Sequence, residues 1–329
     1  MKFRPWGLLD WTLGISAPRQ WFFIGALGTE ERSLAAWKWL NDMGVESGRI
    51  MMRVNPIDAT RFCAGTRTRL DIRQEQFVLS GGKLSDIRTL NLLTKPEQIE
   101  NLAAELSEKS SSIIFDISSL PKRFFFPLLR AFNRSKTIRD LVVTYTCPGE
   151  YESKDKLSEG AGKWDYLPGF LGAAEQKSEV LVAAVGFMVE SLQQHLSGED
   201  AHPAVQLLIP FPATPSAIRR SWESVYNLHL GRSSDKFVKH RVDANDMSAA
   251  FDRICSLGRD SEAVAFAPFG PKPISAAMCL YAEQCNSAVH YPQPEGYNPD
   301  YSVGVATVNG KPSVNAYWIM HEGKNLYEV

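Results

Sequence analysis

The stretch that decides the fold is WFFIGALG (residues 21–28), followed by TEERS (29–33) and LAAWKWL (34–40). An unbroken apolar run, a glycine-bearing turn and apolar residues at helical spacing read as strand, turn and helix. The same grammar returns at 180–192 as VLVAAVG, FMVES and L. Gly28, Ser33 and Leu34 are thereby matched by Gly186, Ser191 and Leu192, each 158 positions later, 186 minus 28 for the glycines.

The correspondence continues in order along the chain. RIMMRVNP (49–56) and VQLLIPFP (205–212) both read as apolar strands stopped by proline. Thr94 with Glu97 forms a capping-box pattern, and Asn245 with Asp246 offers caps for a helix over 247–257. Short buried strands follow at 113–116 and 263–267, then Pro121-Lys122 and Pro271-Lys272, each opening a further helix (123–132 and 274–284). Those helices lead to YTCPGEY (145–151) and YPQPEGY (291–297). Collinear agreement over five elements points to an internal duplication.

Strands alternating with helices imply parallel sheets with right-handed crossovers. The expected fold is α/β: two tandem Rossmann-like units, each a mainly parallel sheet flanked by helices, with a C-terminal β-hairpin. Residues 1–151 form the first unit and its N-terminal extension, 152–178 a polar, glycine-rich linker, and 179–329 the second unit. VGVATV and SVNAYWIM around Asn309-Gly310 read as a hairpin extending the second sheet.

Composition narrows the function. A length of 329 residues suits two cores, and a net charge of -1 supplies no general field for nucleic acid or anionic membrane. Five cysteines without a CxxC pair fit reduced thiols in the cytoplasm. No run approaches the roughly 20 apolar residues of a membrane span. Walker, dinucleotide, nucleophile-elbow and spaced metal-ligand signatures are all missing from the sequence, which assigns no cofactor.

Ligands of open α/β sheets lie beyond the carboxyl ends of the strands, which selects the repeated loops. In the first copy these hold Gly28, Thr29, Glu30, Glu31 and Arg32, then Asp116, Ser118, Ser119 and Lys122, then Glu150 and Tyr151. Gly28 permits close backbone approach, Arg32 and Lys122 offer charge to a phosphate, and helix-start amides favour an anion. Asp116 at a strand end suits a ribose hydroxyl or metal. Glu30, Glu31 and Asp116 are the candidates for acid/base catalysis, though carboxylates also simply favour a helix start.

The second copy offers 186–190, 268–272 with Lys272, and Tyr297, but looks stripped, with Phe187, Met188 and Val189 in place of polar residues. Arg67, Arg69, Asp71 and Arg73 alternate as along one strand face, a grip for phosphates that leaves nucleic acid open; a solvated edge strand gives the same pattern. His240 and His290 read as cap-region and strand-end residues.

The reading is a nucleotide- or phosphate-ligand-binding sensor or regulatory protein. The rivals are a nucleotide-directed hydrolase or transferase and a structural partner subunit, hetero- or homo-oligomeric. Trp6, Trp11 and Phe124 to Phe126, read as surface-prone aromatics, favour the last.

Overall fold

The computed structural model describes residues 4–15, 19–152, 157–161, 164–173, 179–186, 192, 204–211, 215–226, 228, 237–259, 261 and 263–329. The expected match of Phe187, Met188, Val189, Glu190 and Ser191 with the first copy lies outside the described residues.

Along the chain, β1 (Trp6–Leu8) and α1 (Leu9–Gly14) precede the deciding stretch, which forms β2 (Trp21–Leu27), a 3-10 turn over Glu31–Leu34 and α2 (Ala35–Asp42). Then come β3 (Glu46–Asn55), α3 (Cys63–Leu79), β4 (Ile87–Asn91), α4 (Pro96–Ser107), β5 (Ser112–Asp116), α5 (Lys122–Arg134), β6 (Asp140–Thr146), β7 (Pro148–Tyr151) and β8 (Ser158–Ala161). The later strands are β9 (Val180–Ala184), β10 (Ala204–Pro210), β11 (Phe237–Val242), β12 (Val264–Pro268), β13 (Pro294–Tyr297), β14 (Ser302–Val305), β15 (Thr307–Val308), β16 (Lys311–Pro312), β17 (Val314–His321) and β18 (Lys324–Asn325).

Two compact units result: the first gathers 2–160 with 294–326, the second 161–293 with 327–329. The first unit's main sheet runs β1-β17-β6-β5-β2-β3-β4. Its five strands β6, β5, β2, β3 and β4 are parallel, and β17 is antiparallel to β6. In chain order those five follow the 3-2-1-4-5 arrangement of a doubly wound sheet. The second unit's sheet, β11-β10-β9-β12, is parallel throughout and keeps the same order, 3-2-1-4. A rudimentary fifth position exists beyond β12, where Val289 forms a parallel bridge with Phe266 and the His290 amide donates to the Phe266 carbonyl at 2.8 Å.

Several expectations are corrected. The C-terminal strand does not extend the second sheet; β17 enters the first, because β6 is buried along its whole length and β17, buried from Val314 to Met320, supplies a strand apolar on both faces. Asn309 and Gly310 do form the turn, both at positive φ, but they join only β15 to β16. Thr94 does not cap α4: its hydroxyl is engaged with Asn91, and Lys95 takes the N-cap position. Asp246 does cap its helix, accepting from the Ala249 amide at 2.7 Å.

Phe124, Phe125 and Phe126 are wholly buried, so the aromatic run of α5 is core, not surface. Trp6 stacks on Tyr317, whereas Trp11 is 57% exposed. Among the described residues, no helix is long and apolar enough to cross a membrane.

Candidate functional site

At the carboxyl edge of the first unit's sheet, the ends of β5 and β6 are tied by a buried polar network. Asp116, the last residue of β5, is fully buried; its Oδ1 accepts from the Ser118 hydroxyl at 2.6 Å and the Thr144 hydroxyl at 3.0 Å. The Ser118 oxygen in turn accepts from the Thr146 amide at 2.8 Å. The two donors to Oδ1 offset part of the cost of burying the carboxylate. Asp116 is thereby a knot between neighbouring strand ends rather than a group turned toward solvent.

Arg32 is also built in. Its Nε and Nη2 meet the Glu30 carboxylate at 2.9 and 2.8 Å, its Nη1 donates to the Thr146 carbonyl at 2.8 Å, and its guanidinium lies 5.2 Å from the Tyr145 ring centre. Burial alone would lower its pKa, but Glu30 and the tyrosine oxygens outweigh that and hold it above its ordinary value. Glu30 further accepts from the Ser302 hydroxyl. Arg32 thus spends its forks on the protein itself.

Three tyrosines complete this edge. The Tyr145 and Tyr151 hydroxyls lie 3.3 Å apart, and the Tyr151 and Tyr301 rings meet edge to face. Burial pushes all three phenols above their ordinary pKa. Tyr301 and Ser302 come from far along the chain, in the Pro- and Gly-interleaved tyrosine stretch 291–304.

The groups reaching solvent at the same edge are fewer. Glu31 is exposed at the start of the 3-10 turn; Thr29, whose carbonyl accepts from Arg73, is half-buried. A Cβ on Gly28 would overlap the Ser119 side chain, so the glycine is there for close approach of the loop after β5. Ser119 donates to the Ala26 carbonyl at 3.3 Å. Lys122, a half-buried residue, opens the thirteen-residue α5, and desolvation of its amine lowers its pKa to about 7. Glu150 is exposed on β7, opposite Val303 of β14, and Tyr297 is half-buried on β13.

The arginine grip is overturned. Residues 63–79 form a helix, so Arg67, Arg69 and Arg73 do not share one face as strand alternation would require. Arg67 pairs with Asp58, Arg69 with Asp300 at 2.7 Å, and Asp71 with Arg53 at 2.7 Å. Arg73 is buried and bonds to Gln76 and the Thr29 carbonyl. The expected phosphate face is absent among these residues.

In the second unit, Gly186 repeats the role of Gly28: a Cβ there would overlap the Phe269 carbonyl in the loop after β12. Lys272 opens its helix as Lys122 does, each behind a proline at the N-cap with near-identical backbone, φ -60 and ψ 148 at Pro121 against φ -53 and ψ 149 at Pro271. His240 lies on β11 against Gln206 at 2.7 Å, and burial, then Arg253, lowers its pKa. His290 packs between Trp164 and Tyr166. No cluster of three His, Cys, Asp or Glu among the described residues is placed to hold a metal, and none of the five cysteines forms a disulfide.

No family model matches the chain, and no curated protein matches it. Among solved structures it is similar to a universal stress protein from Pseudomonas aeruginosa, at 13% identity and TM-score 0.23 over 83% of this chain and 93% of that one. It is similar also to a universal stress protein from Archaeoglobus fulgidus, at 9% identity and TM-score 0.25 over 83% of this chain and 96% of that one.

Proposed function

We propose that the chain is a duplicated Rossmann-like protein that binds a phosphate-bearing small molecule, of the nucleotide class, in a sensor or regulatory role. The site is the carboxyl edge of the first unit's sheet. The observation that carries this reading is Lys122: a lysine with a pKa lowered to about 7, placed on the first turn of a long helix, directly after the Ser118-Ser119 loop. Helix-start amides and a lysine together suit an oxyanion. Arg32 and Asp116 act behind that surface, holding the strand ends in register so that Thr29, Ser119 and Lys122 present a fixed edge.

The matched topology and the matched glycines and Pro-Lys pairs support descent of both units from one ancestor. Polar residues concentrate in the first copy, which favours it as the working site.

Thermal shift against nucleotides and phosphate monoesters tests the reading. A true ligand at a hundredfold its Kd stabilises by about 2.7 kcal/mol. Its affinity should fall as pH rises above 7, where Lys122 of the ligand-free protein loses its proton, and Lys122→Met should remove that pH dependence. A full panel without any shift refutes the proposal.

A further inference from the structure

The two units are not completed by the halves of the chain that begin them. In the first unit, β6 is bordered by β17, β7 pairs with β14 (Tyr151 opposite Ser302), and β8 pairs with β13. All three partners follow the second half in sequence. In the second unit, the rudimentary fifth strand is bordered by Asp165–Leu167, which follow the first half. Tyr166 forms an antiparallel bridge with His290, the Leu167 amide donates to Val289 at 2.9 Å, and the Tyr291 amide to Asp165 at 2.8 Å.

The pattern is reciprocal. The fifth parallel position of each unit takes an antiparallel neighbour drawn from the extension that trails the other repeat. The extensions match each other as well: the first strand after β6 pairs with the second strand after residue 291, and the second after β6 with the first after residue 291. Each repeat thus lends to the other what it receives from it, as in a domain-swapped pair.

We infer that residues 1–173 and 179–329 are strand-exchange partners: the chain is a fused pair in which each repeat is closed by the trailing strands of a second copy of the repeat. Parallel sheets need both edges managed, and an exchanged antiparallel strand closes the β6 edge with main-chain hydrogen bonds that a covalent link between the halves does not require. The partner chemistry that fits each half is consequently another copy of this repeat.

The test uses the whole folded chain with a specific protease site introduced within 174–178. After cleavage, the two fragments should co-elute on gel filtration without denaturant, and amide exchange across 141–151 and 288–291 should stay within about twofold of the uncut protein. Separation of the fragments, folded or not, overturns the inference. So does co-elution with lost protection at 141–151, since the fragments would then be held by something other than the exchanged strands. In a second variant, Val142→Pro and Trp318→Pro are each introduced before cleavage to block the β6–β17 ladder. With the β7–β14, β8–β13 and Tyr166–His290 pairings intact, fragments of these variants should associate more weakly than those of the cleaved parent, and an unchanged affinity would count equally against the inference.

Discussion

Arg32 shows how far a residue's chemistry depends on what surrounds it. In the sequence it is a cation beside a glycine-bearing turn, equally suited to a ligand; in the structure Glu30, Thr146 and Tyr145 occupy it. Removing one member of such a buried pair strands the other. Arg32→Met should therefore cost about 3–5 kcal/mol in urea denaturation, and Glu30→Gln combined with Arg32→Met should cost clearly less than the sum of the single changes. At Lys122 it is desolvation that alters the cation's chemistry. Its folded pKa of about 7 lies below the ordinary lysine value of 10.5, so between those pH values the unfolded chain binds the extra proton. Stability contributed by this group accordingly rises with pH through that window and is flat below it. Comparing urea midpoints at pH 7 and pH 10 should give a rise that Lys122→Met diminishes.

At the scale of elements, most of the deciding stretch was legible because its signals were local. The apolar runs of β2, β3, β5, β9, β10 and β12 are buried in parallel sheet, where both faces are covered and no polar alternation is needed. The segment RTRLDIR misled because four alternating residues imitate a strand. Its burial at Cys63, Leu70 and Phe77, seven apart, is a helical stripe visible only over a longer window. The matched glycines had a reason that spacing alone could not show. Gly28→Ala would drive a methyl into Ser119, at a cost of about 1–3 kcal/mol, and Ser119→Gly should recover much of it. Asp246→Ala, by contrast, should cost only about 1 kcal/mol, the worth of one helix cap, read from the thermal midpoint.

For the whole molecule, β17 is the element that departs most from expectation and has the widest consequence. Trp318 is fully buried there, donates to the Thr12 carbonyl at 3.1 Å and meets Trp21 edge to face. Trp318→Ala should destabilise by about 3–5 kcal/mol. The loss should appear in the amide exchange of 21–27 and 141–146 while 180–184 and 264–268 keep their protection; the reverse pattern would place the strand in the second unit. Strand type, crossover alternation and the paired glycine and Pro-Lys positions were determined by the sequence, because periodicity and turn chemistry act over a few residues. Which sheet receives β17, and which cations are consumed by the fold, was decided only by tertiary structure. Pairing across some 170 residues and the burial of one charge against another depend on three-dimensional neighbours, whose identity no local pattern encodes.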